Sequence, residues 1–215
     1  MPTLTSREGV YVLDLGADEN RFTPEWMSDV ESALDAVEAA PAPLVIVGDG
    51  KFFSNGLDLA YVSDLVGLPA YTRRVQTILS RILTLPAPTV AAINGHAFGA
   101  GAMLAIACDW RYMREDRGFF CFPEVDIHIP FTLGMAALIQ GKLSTRTAVD
   151  SMTTGHRFGA EDALVAGIVD GVAAEGHLVD TAIARVGPLA GKAGDTLGQI
   201  KQTMFGAAAR ALTEN

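Results

Sequence analysis

The sequence predicts an α/β fold in a single compact domain. Short apolar segments alternate along the chain with stretches of helical periodicity, an order that is typical of strands joined by helices. The chain has 215 residues, of which 49% are hydrophobic and 19% are charged. This length corresponds to one domain, and the low charged fraction excludes a disordered chain and indicates much buried surface.

The first half of the chain carries the clearest local signals. Thr23 before Pro24 predicts the N-cap and the first position of a helix, and residues 44–47 (LVIV) are wholly apolar, as in a strand buried on both faces. The predicted elements are, in order, a strand at 10–15, a helix from 24 to about 39, a strand at 44–47, a loop at 52–59, a helix at about 71–85 and a strand at 89–93.

The second half predicts small-residue and helical segments. Its predicted elements are a glycine-rich loop at 94–101, a helix at 102–108, strands at 110–113 and 119–122, a mostly helical remainder from about 132, a short strand near 168–172, and helices at 177–187 and 196–212. We therefore expect the C-terminal third to be dominated by helices.

Composition narrows the class of function. The formal net charge is −9, which disfavours binding to nucleic acid or to an anionic membrane. Cys108 and Cys121 each lie in an apolar run, which predicts no disulfide framework and fits a reducing compartment.

The four histidines lack metal-ligand spacing, so no metal site is expected. The absence of a signal pattern, of a long apolar run and of a C-terminal address predicts a cytoplasmic location.

The segment 94–109 takes a predicted strand through glycines into a helix. This geometry aims free backbone N–H groups at a ligand, which could be a phosphate, a dinucleotide or an oxyanion. A dinucleotide fingerprint fails because Leu104 stands where its third glycine would be. Tight helix packing explains the small residues equally well, and this alternative stays open.

Glu124 lies in one of the most apolar stretches of the chain, FFCFPEVDIHIPF (119–131). It is either a turn residue after Pro123 or a buried carboxyl whose raised pKa suits acid–base work near neutral pH. Asp126 would share a face with Glu124 if the segment were extended. These alternatives also stay open.

Four segments occur in a fixed order along the chain. They are FSNGLD (53–58), LPAPTVAAINGHAFGAG (85–101) followed by Leu104, Ala105, Cys108 and Asp109, FPE (122–124), and TGHRF (154–158) with EDA (161–163) and GIVD (167–170). Together they resemble the crotonase superfamily, also called the enoyl-CoA hydratase/isomerase family. The resemblance implies a spiral of repeated β-β-α units over residues 1–175, for acyl-CoA binding and catalysis. It also implies a short C-terminal helical region at 176–215, used for assembly as a homotrimer or dimer of trimers.

The resemblance also implies acyl-CoA thioester chemistry, with the backbone N–H groups of Leu57 and Ala100 as the oxyanion hole. Fixed donors near a helix start suit a developing enolate, and side-chain identity matters little there. The substrate-binding residues it implies are Ser54, Gly56, Asp58, Leu59, Gly99, Met103, Phe122, Ile127 and Phe131, with Leu133 also expected beside the acyl chain. The cations considered for the CoA phosphates are Arg73, Arg74, Lys192 and Lys201.

The subfamily depends on two positions. Hydratases of this family use two glutamates, of which the second matches Glu124 and the first falls on Met103. A thioether cannot exchange a proton, whereas one carboxyl suffices for a Δ3-Δ2-enoyl-CoA isomerase. The segments REDRGF (114–119) and EVDI (124–127) also resemble the single-glutamate isomerases, notably the plant type.

We therefore predict an isomerase of unsaturated fatty-acid β-oxidation, with Glu124 as its catalytic residue and with no cofactor beyond the CoA carried by the substrate. The alternatives are hydration or another crotonase reaction, such as thioester hydrolysis or dehalogenation, and a non-catalytic acyl-CoA-binding relative.

Overall fold

The computed structural model describes residues 1–62 and 67–214. Residues 63–66 of the predicted core and the last residue of the predicted C-terminal region therefore lie outside the described part. The strands are β1 (Thr3–Arg7), β2 (Val10–Asp14), β3 (Leu44–Val47), β4 (Phe52–Ser54), β5 (Thr89–Ile93), β6 (His96–Phe98), β7 (Trp110–Arg114), β8 (Phe120–Cys121) and β9 (Gly171–Ala173). The helices are α1 (Pro24–Ala39), α2 (Leu59–Val62), α3 (Leu68–Leu83), α4 (Ala100–Ala107), α5 (Leu133–Lys142), α6 (Thr145–Thr154), α7 (Ala160–Val165), α8 (Leu178–Val186) and α9 (Asp195–Thr213), with 3₁₀ turns at Glu175–His177 and Gly187–Lys192.

The strands form two sheets that the chain visits in turn. The larger sheet has the order β1-β2-β3-β5-β7-β9, and the smaller has the order β4-β6-β8. Among the described strands, neighbours in each sheet are parallel except for β1 and β2, which are antiparallel. The chain passes from β3 to β4, from β5 to β6 and from β7 to β8, and helices follow each pair. This repeated β-β-α path confirms the predicted α/β spiral.

The central strands β3 and β5 of the larger sheet are buried on both faces, which explains why β3 is wholly apolar and β5 nearly so. In β3, Leu44 and Ile46 point into the main core, whereas Val45 and Val47 face a second apolar cluster that includes α8. Helix α4 lies inside the molecule, and each of its eight residues is buried. Helix α9 packs against α3 and α5, so the C-terminal region closes the core on that side.

The structure confirms the elements that the sequence predicts most clearly, namely helix α1 and strands β3 and β5. Helix α1 begins at Pro24 with the Thr23 hydroxyl accepting the Trp26 N–H at 3.2 Å, and it ends at Ala39. The strands predicted at 44–47 and 89–93 are β3 and β5. Among the described residues no helix is both long and apolar enough to cross a bilayer.

Several local predictions are wrong. The segments 52–54 and 96–98 were predicted within loops, but they form β4 and β6, whose three residues are too few to show a period. Strand β1 was not predicted because four of its five side chains are exposed. The strand expected near 168–172 begins at Gly171, because the amides of Ile168 and Val169 close the end of α7 on the Ala163 carbonyl.

Candidate active site

The first part of the site is the start of α4. Gly99 adopts φ +51 and ψ −121, a conformation that favours glycine, and the helix begins at the next residue. The Gly99 carbonyl accepts the Met103 N–H at 3.0 Å. The N–H and C=O of a trans peptide point in opposite directions, so the Ala100 N–H points out of the helix start. It has no hydrogen-bond partner in the described part of the chain.

The second part is the loop after β4. The Gly56 carbonyl accepts the Phe22 N–H at 3.0 Å, so the Leu57 N–H of the same peptide points away from Phe22. Gly56 has φ +75, and a Cβ added there would lie 3.0 Å from the Ala100 nitrogen. The two chain segments therefore touch at Gly56, which leaves no room for a side chain. The Leu57 amide also donates to no described group.

Hydrogen bonds to the segment before α1 hold this loop in place. The Ser54 hydroxyl donates to the Asn20 carbonyl at 2.7 Å and accepts the Gly56 N–H at 3.2 Å. Arg21 donates from Nη1 to the Leu57 carbonyl at 3.1 Å and from Nε to Glu19 at 2.7 Å. Both peptides that flank Leu57 are thus held by hydrogen bonds, which gives its N–H a fixed direction.

Glu124 is the third part of the site. It lies in the turn after β8, where its carbonyl accepts the Ile129 N–H at 3.0 Å, yet its side chain is buried. It is therefore both a turn residue and a buried carboxyl. Its Oε2 has no hydrogen-bond partner among the described groups, and a Cβ on Gly99 would lie 3.4 Å from its Oε1. Burial raises the pKa of Glu124 from 4.5 to about 7.

The turn separates Glu124 from Asp126. Asp126 is exposed, and its carboxylate lies against Gly155. The two carboxyls would share a face only in an extended segment, and the amides of Asp126 and Ile127 instead close the turn on the Pro123 carbonyl.

These three parts surround one cavity of about 410 Å³. Of the predicted site residues it brings together Leu57, Gly99, Ala100, Glu124 and Ile127. The other residues that line it are Arg21, Asn55, Phe98, Pro123 and Ile129. A carboxyl with a near-neutral pKa and two fixed N–H donors in an apolar cavity can transfer a proton beside a carbonyl and stabilise the oxyanion that forms.

The comparison with protein families decides the family. The model described as "Enoyl-CoA hydratase/isomerase" matches residues 5–215. The chain belongs to the enoyl-CoA hydratase/isomerase family.

Two relatives and one solved structure show how the chain compares with other proteins. Enoyl-CoA delta isomerase 3 of Arabidopsis thaliana is 34% identical over 95% of this chain and 92% of its own length. Peroxisomal enoyl-CoA delta isomerase 1 of Arabidopsis thaliana is 34% identical over 79% of this chain and 74% of its own length. The crystal structure of human mitochondrial delta3-delta2-enoyl-CoA isomerase has the same fold, with a TM-score of 0.92 at 22% identity over 99% of this chain and 86% of that chain.

The other residues that the family resemblance suggested do not line the cavity. Met103 and Phe122 are fully buried in the core, and Phe131 packs edge-on against Phe122 at 6.2 Å between ring centroids. Ser54 ends β4 and Gly56 lies within the following loop, and both fix the conformation of that loop. Contacts of these residues with substrate stay predictions.

Asp58 and Leu59, two of the predicted substrate-binding residues, lie at the start of α2. The Asp58 amide donates to the Tyr71 hydroxyl at 2.9 Å, and its carboxylate accepts the Ala60 N–H at 3.1 Å, so Asp58 opens α2. The side chain of Leu59 lies outside the described part of the chain, and Leu133 is exposed.

The cations considered for CoA lie elsewhere. Lys201 pairs with Asp109 at 2.7 Å, and Arg74 pairs with Glu31 at 2.7 Å. Among the described residues the cation on the cavity wall is Arg21, which sequence reasoning missed. Its contact with Leu57 spans 36 positions, so no local motif marks it. No cluster of three or more potential metal ligands occurs in the described part.

Proposed function

We propose that this chain is a Δ3-Δ2-enoyl-CoA isomerase, which converts a 3-enoyl-CoA into the 2-trans-enoyl-CoA. The observation that carries the proposal is the buried carboxyl of Glu124, the one carboxyl among the described residues that line the cavity, beside the amides of Leu57 and Ala100. Met103 falls at the position of the first of the two glutamates that hydratases of the family use. The isomerase names of the Arabidopsis relatives support the same reaction.

The reaction needs one group that first accepts and then donates a proton. The Glu124 carboxylate removes a proton from C2, and the electrons of that C–H bond form the C2=C1 double bond of a dienolate. The negative charge on the thioester oxygen accepts hydrogen bonds from the Leu57 and Ala100 N–H groups. Glu124 then returns the proton to C4, which restores the thioester and leaves the double bond between C2 and C3.

The wall of the cavity suits this intermediate. Phe98, Ile127 and Ile129 supply apolar surface beside the carboxyl, and apolar surface limits the access of water to a reactive dienolate. The same environment keeps the carboxyl pKa near neutrality, where a proton acceptor and donor is most effective.

The test compares two carboxyl variants with 3-cis-hexenoyl-CoA as substrate. Glu124→Gln should lower kcat by about 10²–10⁴-fold or more while binding of a saturated acyl-CoA persists. Asp126→Asn is the matched control, because its carboxylate lies against Gly155 outside the cavity lining, and it should retain activity. Retained activity in Glu124→Gln would reject Glu124 as the base, and conversion of 2-trans-hexenoyl-CoA into a 3-hydroxyacyl-CoA would identify a hydratase.

The proposal also covers the metabolic role and the cofactor requirement. The reaction serves the β-oxidation of unsaturated fatty acids. CoA enters as part of the substrate and no separate cofactor takes part, because the proton transfer requires only a carboxyl and the two amides. Activity of the purified protein after exhaustive dialysis against chelator, with acyl-CoA as the only small molecule added, tests the last point.

Assembly as a homotrimer or dimer of trimers and a cytoplasmic location complete the proposal. Apolar side chains on α5, α6 and α7 support the assembly, since Leu133, Val149, Leu164 and Val165 are exposed in the single chain. Light scattering of the purified protein tests the assembly, because a monomer would contradict it. Cell fractionation tests the location.

A further inference from the structure

A second cavity lies at the opposite end of the larger sheet from Glu124. Pro88 precedes β5 and Trp110 begins β7, and both line a groove of about 500 Å³, which we call the basal groove. The Glu124 cavity lies beyond the other end of β5, a five-residue strand of about 16 Å. The two cavities share no lining residue among those described.

The walls of the basal groove are largely apolar. Apolar side chains of α9 and of the turn before it form them, namely Leu189, Leu197, Ile200, Met204 and Phe205. Ile200 is 50% exposed and Met204 is 65% exposed, so this surface is open in the single chain. The volume falls in the range of about 300–1,000 Å³ that small-molecule sites occupy.

Four cations line the same groove in a chain whose net charge is −9. They are Lys142, Arg185, Lys192 and Lys201, and the carboxylate beside them is that of Asp109. Asp109 already accepts hydrogen bonds from Lys201 at 2.7 Å and from the Thr89 amide and hydroxyl. Lys201 and Asp109 therefore neutralise each other. The other three cations, Lys142, Arg185 and Lys192, form no ion pair with a described residue.

Lys142 is a half-buried cation on the wall of this groove. Its Nζ donates to the Cys108 carbonyl at 2.8 Å and lies 4.9 Å from the centroid of the Phe205 ring. It forms no ion pair with any described residue, although an ammonium has three donors. Burial, reinforced by the charge of Arg111, lowers the pKa of Lys142 to about 8. The charge of Asp109 offsets part of this effect without forming an ion pair with Lys142, so an incoming carboxylate would be the direct partner that its ammonium lacks.

Arg185 holds a second positive charge at the groove. Its guanidinium carbon lies 3.9 Å from the centroid of the Trp110 ring, and it pairs with no described carboxylate. The groove therefore offers positive charge beside apolar walls and little hydrogen-bonding surface. A ligand that complements both has an anionic head and an alkyl chain.

We propose that the basal groove binds a medium-chain fatty acid, with its carboxylate on Lys142 and its alkyl chain along Ile200 and Met204. This site is separate from the acyl-CoA cavity, and the proposal does not depend on the proposed reaction.

The experiment titrates the full chain with sodium decanoate below its critical micelle concentration, followed by calorimetry and by methyl NMR. We expect saturable one-to-one binding that shifts the methyl signals of Ile200 and Met204. Lys142→Met should weaken the binding at least about tenfold, because a hydrogen bond to a charged group is lost. Lys51→Met is the matched control, since Lys51 is exposed outside the groove, and it should bind decanoate like the parent protein. Decan-1-ol should bind at least about tenfold more weakly than decanoate.

A second variant covers the case in which Lys142→Met fails to fold. Met204→Glu places a like charge on an exposed wall and should weaken decanoate binding without lowering the melting temperature. The absence of saturable binding, shifts confined to the methyls of Ile127 and Ile129, or unchanged affinity in both groove variants would each overturn the proposal. Groove signals that change with protein concentration alone would do the same, because a second copy would then occupy the groove.

Discussion

Replacing Glu124 with glutamine should remove activity and stabilise the folded protein at the same time. Burial raises the pKa of this carboxyl from 4.5 to about 7, so its ionised form is disfavoured in the folded state. Each tenfold change in an ionisation constant corresponds to about 1.4 kcal/mol, so ionised Glu124 lowers the free energy of unfolding by about 3 kcal/mol above pH 7.

The sign of the pH dependence follows from the direction of the shift. Between pH 4.5 and about 7 the folded state holds the Glu124 proton more tightly than the unfolded state does. The free energy of unfolding therefore falls as pH rises through this window, by about 1 kcal/mol at pH 5 and about 3 kcal/mol at pH 8. The difference in the free energy of unfolding between Glu124→Gln and the parent protein should therefore increase by about 2 kcal/mol from pH 5 to pH 8. Any effect of the new amide that does not depend on pH cancels in this comparison.

Thermal unfolding followed by circular dichroism measures this difference directly. For a chain of this size, a 2 kcal/mol increase in the stability difference corresponds to an increase of roughly 4–8 °C in the Tm difference. Glu161→Gln, an exposed change in the first turn of α7, is the control and should show no such growth. An equal Tm difference between Glu124→Gln and the parent protein at pH 5 and pH 8 would refute the buried, high-pKa carboxyl.

The remaining predictions address the donors, the base and the core. Gly56→Ala should lower kcat by about 10²-fold, because a Cβ there would press on the Ala100 amide, whereas Gly141→Ala, whose added Cβ meets nothing within 4 Å, should leave kcat unchanged. Arg21→Met should lower kcat about tenfold in steady-state assays, because the Leu57 carbonyl loses its charged donor. The value of kcat/KM should rise about tenfold per pH unit below pH 7 and level off above it, because the base must be ionised. Lys201→Met should lower the free energy of unfolding by about 3–5 kcal/mol in urea titrations, because it leaves the Asp109 carboxylate unpaired.

Each of these predictions has a result that contradicts it. Full activity in Gly56→Ala would show that the two backbone segments need no close approach, and unchanged kcat in Arg21→Met would remove its positioning role. A kcat/KM that is flat between pH 5 and pH 8 would argue against a buried base. Lys192→Met is the control for Lys201→Met, because Lys192 lies in the groove without an ion pair to a described residue, and equal stability of the two variants would contradict the buried pair.

The fold could be predicted where one segment carries its own signal. The cap at Thr23 and the wholly apolar segment at 44–47 are local features, and the corresponding elements begin and end where expected. Strands β4 and β6 carry too little pattern, since three residues set among glycines and asparagines resemble a loop. Their pairing depends on a neighbouring strand more than 40 positions away, which no local rule detects.

The same distinction applies to the candidate site, where a residue could be predicted only if its own sequence neighbourhood was unusual. Glu124 stands out because a carboxyl in an apolar stretch is unusual, but sequence alone did not decide between a turn and a buried acid, and the structure shows both. Arg21 gave no signal, because its contact is with a backbone carbonyl and depends on tertiary folding. The positions of Leu57 and Ala100 came from the family resemblance, and the peptide geometry at Gly56 and Gly99 supplies the physical reason for them.

The most direct test of the central claim is a single incubation of the purified protein with 3-cis-hexenoyl-CoA in D₂O, with the product analysed by mass spectrometry and NMR. We expect 2-trans-hexenoyl-CoA, with any deuterium confined to C2 and C4, because one carboxyl moves a proton between these carbons. A 3-hydroxyacyl-CoA product would contradict this expectation by revealing a second acid–base group, and unchanged substrate despite measurable binding would contradict it by removing the catalytic role.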